Sequence, residues 1–421
     1  MVHVHGPRVQ VQAEPIRQVS GLAELIAVPI DVGKASAMAL VADFTGQRLV
    51  KPFTFALDRD GLIDLVLHVE SALAGRPVKL VRVGVEAAGH YHRPVTRTGA
   101  LPSSWEVVEL NPAHVTAQRR VNGQRGVKTD QVDLTAIFDL VIAGRGYPSG
   151  TASEAMVELA AWVAHRRRRL HVRTATKNQL LGQFDRAFPG AGNCTTSSLL
   201  ATKVGRLLIT EFSDPERLRR LGVDRFRSFA AHRDVRVGVK LAQRCVAAAR
   251  AALPTDEATV ARQLIGDDLE LLELLENQIV DTETRLATLL PTTPFQVLTT
   301  VPGWGVNRVA RYAAAVGELA RWPSHRQLYR AAGLTPSTYA SAGKRHDGSI
   351  SREGSVELRG ALLDLGMGLW LNDPATRSYV NDLKARGKPS GIIACALAHR
   401  ANRIAFAMVR DQAPYHPDRW S

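Results

Sequence analysis

The stretch "ELIAVPIDVGKASAMALVAD", residues 24–43, decides the fold of the first third of the chain. Its two apolar or β-branched runs, 24–32 and 36–43, are split by Gly33-Lys34-Ala35 and read as strand, turn, strand. Outward from it, Gly46-Gln47 marks a turn into a third run, "RLVKPFTFAL". Three strands in quick succession, with no room for a crossover, predict an antiparallel meander. Asp58 then stands as the N-cap of a helix, "GLIDLVLHVESAL", whose apolar residues recur at helical spacing. "VKLVRVGVE" and "WEVVELN" read as further strands separated by a helix, and so as a parallel pair.

Strand, strand, strand, helix, strand, helix, strand is the order of a ribonuclease-H-like α/β core, here spanning residues 24–148 behind an extension, 1–23. Residues 149–290 change character: strand signals fade and Ala-, Leu- and Arg-rich helical stretches take over. "DDLELLELLENQIVDTETRLATLL" carries heptad-like spacing through Leu272, Leu275, Ile279, Leu286 and Leu289, which fits a helical arm or, more commonly, the seam of a helical bundle. A third, mainly helical region is expected over 291–412, with a tail at 413–421. Its "VLTTVPGWGVNRVARYAAAVG" resembles a helix-hairpin-helix element, with Pro302, Gly303 and Gly305 making the turn. Backbone N–H groups at such a helix start can hold a phosphate, although similar turns also serve only as connectors.

Charge narrows the partner. Lys and Arg number 54 against 40 acidic residues, a formal net charge of +14. That balance favours a polyanion, because each neutralised phosphate releases counterions. No basic amphipathic helix with an aromatic opposite face points to a membrane surface, and no apolar run is expected to span a bilayer. Cys194, Cys245 and Cys395 lie far apart, forming no metal-binding pair and no disulfide framework, so a reducing cytoplasm is expected. "HRRRRLHVR" places Arg166, Arg167, Arg168 and Arg169 almost all the way round a helix, and reads equally as a solvated helix end or a backbone contact for nucleic acid.

Four carboxylates stand out. Asp31 sits in the first strand, Glu86 ends the fourth, and Asp130 and Asp133 are three apart, on one face of a helix. Taken singly, Asp31 could cap a turn and Asp130 a helix. Jointly they suit a hard divalent cation, Mg²⁺, which binds through a few carboxylates plus substrate phosphate and can clamp both oxygens of a phosphoryl transfer. Lys128 reads as a phosphate contact or a solvated side chain.

"IDVGK", "VEAAGHY", "ELNPAHV" and "GVKTDQVDLTAI" resemble the N-terminal DEDD domain of the Piv-like insertion-sequence transposases, the IS-one-ten family. "AAGLTPSTYASAGK" and "SISREGSVELRGALL" resemble that family's C-terminal transposase domain, in the family's order, over roughly residues 24 to 412. The resemblance implies a RuvC-like catalytic domain, donor and target DNA as substrates, a structured noncoding guide RNA and a dimer assembling to a tetramer. It implies a bacterial cytoplasmic enzyme, associated with the nucleoid when acting. It also implies that Asp31, Glu86, Asp130 and Asp133 meet a serine nucleophile, which by motif match is Ser341. Ser337, Ser349, Ser351 and Ser355 are chemical rivals, and only the resemblance selects among them. Lys344, Arg345, Arg352 and Arg359 are expected to face phosphates or to be solvated. The chain departs from the family in having Ala342 after Ser341, and in an extended middle region around "SDPERLRRLGVDRFRSFAAHRD". A RuvC-like nuclease that resolves branched DNA without a serine intermediate is the alternative.

Overall fold

The structure, a computed structural model, describes residues 21–87, 89–124, 126, 129–149, 153–194, 199–341 and 344–420, with side chains described except at 338–347 and 419–420. Three strands, β1 (Leu25–Val32), β2 (Ser36–Asp43) and β3 (Arg48–Ala56), form the expected antiparallel meander. Asp58 caps α1 (Arg59–Leu73), its Oδ1 accepting from the Gly61 N–H at 2.8 Å. β4 (Leu80–Glu86) pairs parallel with β1 and with β5 (Glu106–Leu110). The helix expected between β4 and β5 is reduced to one turn, Arg93–Thr96. Gly89 and Gly99 adopt positive φ on either side of it, and Pro94 stands in its first turn, where a missing N–H is tolerated.

After β5 come α2 (Pro112–Val121), α3 (Asp130–Ile142) and the short β6 (Tyr147–Pro148). The six strands run in the order β3-β2-β1-β4-β5-β6. β1 is central and buried on both faces, which is why its sequence reads as a near-continuous apolar run. On one face, Leu65 and Val69 of α1 join Ile26, Val28, Ile30 and Phe55. On the other, Ala136, Ile137, Leu140 and Val141 of α3 pack with Leu25, Ala27 and Leu110.

A helical region follows: α4 (Glu154–Ala187), α5 (Lys203–Glu211), α6 (Pro215–Ala231), α7 (Val239–Ala251) and α8 (Ala258–Leu289). Leu272 belongs to a core shared with Phe184, Phe212 and Phe226. α4 and α8 run antiparallel, tied by Arg166–Glu283, Lys177–Glu276 at 3.3 Å and Gln179–Asp268 at 3.0 Å. The heptad-like spacing of α8 therefore serves packing within the chain, with Leu272, Leu275, Ile279 and Leu286 buried.

The remainder is α9 (Val306–Val316), α10 (His325–Ala331), a hairpin of β7 (Pro336–Ser341) and β8 (Lys344–Ile350), then α11 (Val356–Asn372), α12 (Pro374–Ala385) and α13 (Ser390–Asp411). α13 is long and apolar enough to cross a membrane, contrary to the expectation that no run is, but 56% of that stretch is buried. Ile393, Leu397, Ala401 and Ile404 make it a core helix. The chain forms two compact units that are discontinuous in sequence. One holds the described residues up to Met156, with Val316–Gly360 and Asn402–Arg410; the other holds Val157–Ala315, Ala361–Ala401 and the rest. The sheet and the β7–β8 hairpin thus belong to one unit. In it Ser153 N–H donates to Glu318 at 3.0 Å, and the Tyr147 and Trp322 rings lie 6.2 Å apart.

Candidate active site

Register brings the first two carboxylates together. Ile30 pairs with Val85 across the parallel β1–β4 ladder, so Asp31 and Glu86 follow side by side near the same ends of adjacent strands. The third comes from α3. Thr129 caps this helix, its Oγ1 accepting from the Val132 N–H at 3.3 Å, which puts Asp133 in the first turn. Gly84 lets the helix come close to β4, since a Cβ there would lie 2.2 Å from Val141 Cγ2. Asp31, Glu86 and Asp133 consequently offer carboxylate oxygens that all lie within 4.8 Å of one another. Asp133 is buried, and the other two are half-buried.

Asp130 begins α3, is exposed, and stands outside this group of three. It lies three residues before Asp133 on the same helix face, at the first position of α3. A residue that sequence reasoning missed completes the arrangement. Arg119, near the end of α2, donates from Nη1 to Asp133 Oδ1 at 2.6 Å and from Nη2 to Thr116 Oγ1 at 2.9 Å. The signal available in the sequence was only the basic pair Arg119-Arg120 at a helix end.

Three carboxylates at this spacing repel one another, and the Arg119 guanidinium stands against the most buried of them, Asp133. Converging hard oxygen donors fit a divalent cation. Asp31, Glu86 and Asp133 would hold it.

The other expected contacts are scattered. Lys128 lies outside the described residues, as do the side chains of Ser341, Lys344 and Arg345. The backbones of Ser341 and Lys344 form the last pair of the β7–β8 ladder, so the polar stretch around them is a hairpin rather than a loop. Cross-strand pairing runs from Pro336–Ile350 to Ser341–Lys344. Arg352 holds a positive φ of 56° and is exposed, while Arg359 opens α11 half-buried, its buried Nη1 without a hydrogen-bond partner among the described residues. Of the rival serines, Ser355 caps α11 through Leu358 N–H, and Ser337 Oγ donates to the Ser349 carbonyl at 3.2 Å.

Gly303 is committed to packing. A Cβ on it would lie 2.3 Å from both Asn372 Nδ2 and the Gly368 carbonyl of α11, while Trp304 Nε1 donates to the Leu365 carbonyl at 2.8 Å. Gly305 is exposed at the start of α9, with nothing within 4 Å of a Cβ. On α4, Arg166 is paired with Glu283, Arg169 Nε lies 3.4 Å from His165 Nε2, and Arg167 and Arg168 are exposed.

Comparison with known proteins agrees with the geometry. A family model described as Transposase, of DEDD type, matches residues 28–189, and a second, Transposase IS116/IS110/IS902 family, matches 295–381. The chain belongs to the IS110 transposase family. It is accordingly a transposase, an enzyme of DNA rearrangement. The 42 kDa protein of insertion element IS900 from Mycobacterium paratuberculosis is 25% identical over 414 residues, 94% of this chain and 98% of that protein. The 44.8 kDa protein of IS116 from Streptomyces clavuligerus is 25% identical over 400 residues, 93% and 96% of the two chains. A pilin gene-inverting protein of Moraxella bovis is 28% identical over 124 residues, 28% of this chain and 38% of that protein. Membership in this DEDD family implies use of a divalent metal, in keeping with the three clustered carboxylates.

Proposed function

We propose that this transposase is an RNA-guided DNA recombinase that cleaves and exchanges strands with Mg²⁺ at Asp31, Glu86 and Asp133, using Ser341 as nucleophile. The observation that carries the reading is the convergence of the three carboxylates at the strand ends of a β3-β2-β1-β4-β5 sheet, in the strand order of a ribonuclease-H-like core. Bound there, Mg²⁺ would stabilise charge on the attacking and leaving oxygens of phosphoryl transfer. The chain's own part is to position. Asp31 and Glu86 are fixed by strand register, and Asp133 by Arg119. Asp130, at the mouth of α3, is proposed to complete the acidic set with DNA present.

Ser341 Oγ would attack a DNA phosphorus, forming an Oγ–P bond as the strand's P–O bond breaks. The serine proton is lost and the departing strand oxygen takes one up. A second strand hydroxyl then reverses this chemistry, restoring the serine. The reading is supported by the shared compact unit of hairpin and sheet, by the family and by the excess positive charge. Arg352 and Arg359, on either side of the start of α11 after the hairpin, are its phosphate contacts in this reading. The guide RNA, donor and target DNA, cytoplasmic site of action and dimer-to-tetramer assembly belong to the same proposal.

The test is a nicked element-end substrate that traps a protein–DNA adduct. Wild type should yield an adduct mapping to Ser341, and Ser341→Ala none. If Ser341 only cradled phosphate, losing one hydrogen bond worth about 1 kcal/mol would slow the reaction roughly fivefold. Cleavage at that near-normal rate without any adduct would replace this reading with a RuvC-like nuclease.

A further inference from the structure

The helical unit pairs many of its cations with carboxylates: Arg166 with Glu283, Lys177 with Glu276, Arg186 with Glu257, Arg217 and Arg233 with Glu211. α7 differs. Between Asp234 and Asp256 the sequence holds no acidic residue, and Lys240, Arg244 and Arg250 form no ion pair among the described residues. All three are exposed, as are Gln243, Ala247 and Ala251 between them. At about 100° per residue these six positions fall within roughly 120° of the helix circumference. The opposite side is core, with Ala242, Cys245, Val246 and Ala249 buried.

Two shallow, open depressions lie on this face. One depression is lined by Lys240, Gln243, Arg244 and Ala247, and a second, sharing Gln243 and Ala247, extends to Arg250 and to Val223 of α6. The small side chains at 247 and 251 leave room for a backbone to lie against the helix, while the cations stand along it. From Lys240 to Arg244 the rise is about 6 Å, and from Arg244 to Arg250 about 9 Å. A strand of duplex DNA carries one charge per roughly 3.4 Å of axis, so three cations over ~15 Å can each meet a phosphate. Contacts of these cations with phosphate oxygens carry no sequence information.

We propose that the α7 face is a sequence-independent docking site for the phosphate backbone of duplex DNA. The choice of DNA as occupant rests on the transposase reading; the site itself rests on the exposed cationic face of α7, which forms no ion pair among the described residues. It gives the extended middle region a role of its own, which is to hold flanking duplex while the carboxylates act elsewhere.

The experiment measures full-length protein binding to a random-sequence DNA duplex across a salt series. A triple variant, Lys240→Gln, Arg244→Gln and Arg250→Gln, should bind on the order of ten- to a hundredfold more weakly near 0.1 M salt. Its slope of log affinity against log salt should flatten by about 2.7, or 0.9 per lost contact. A matched variant, Arg186→Gln, Arg206→Gln and Arg219→Gln, removes the same charge from ion-paired positions and should flatten it by less than 1. Ala247→Glu, at an exposed helical position compatible with folding, should weaken binding by itself. Equal slopes for the two triple variants with unaltered binding by Ala247→Glu would overturn the proposal. So would a loss confined to an RNA duplex measured in parallel. Failure of the wild type to bind DNA at all would strike the transposase reading instead.

Discussion

Two charged clusters, the carboxylates at the end of the sheet and the arginine run on α4, stand out equally in the sequence and fare differently in the fold. Asp31 and Glu86 are 55 residues apart in number, yet parallel pairing of β1 with β4 sets them side by side, and α3 brings Asp133 to within 4.8 Å. The arginines are consecutive, yet the helix turns them apart, and Arg166 is taken up by Glu283. Topology concentrates like charge where strands end together. A helix surface disperses it and lets neighbours neutralise it.

That contrast breaks most readily at the carboxylates. Asp31→Asn keeps shape but removes a charged donor, and strand exchange should fall by at least ~10³-fold while DNA binding persists. A recombination assay beside a binding assay checks this, and activity within tenfold of wild type would make the cluster structural. Next comes Arg119→Ala. Removing one partner of a largely buried pair should destabilise the protein by on the order of 3 kcal/mol in denaturant titration with a chelator present. Added divalent cation should narrow that gap, because it supplies the lost positive charge. A gap that stays constant with metal would mean that Arg119 and the cation do not share Asp133.

Gly84→Ala should cost about 1–3 kcal/mol by forcing Val141 and α3 away from β4, and should weaken metal binding although no ligand is changed. Metal affinity equal to wild type would show that the close approach of α3 is not what delivers Asp133. The smallest effect belongs to the other cluster. Arg166→Gln, which breaks a partly exposed pair with Glu283, should shift stability by no more than about 1 kcal/mol. A loss several times larger would make this bridge a main tie between α4 and α8.

Much of this was legible in the chain. The meander, the Asp58 cap and the parallel β4–β5 pair followed from apolar runs, a turn and a cap residue, all local signals. Two of the three clustered carboxylates were marked by their place at the ends of buried-looking strands. What escaped was non-local. The Arg119–Asp133 pair joins two helices, and the demand for glycine at 303 comes from Asn372 on α11. Likewise an i, i+3 spacing places Asp130 and Asp133 on one face but cannot say which of them lies over the strand ends. The hairpin at 336–350 was obscured because its strands are held by their ladder, with no apolar run to announce them.

The central claim is that Asp31, Glu86 and Asp133 together form a divalent-cation site. Its most direct measurement is Mn²⁺ binding to the full-length protein, followed by electron paramagnetic resonance, for wild type and for Asp31→Asn, Glu86→Gln and Asp133→Asn. Wild type should show a bound-ion signal that Mg²⁺ displaces, and each substitution should weaken it by at least about tenfold. Undiminished Mn²⁺ affinity in all three variants would contradict the account.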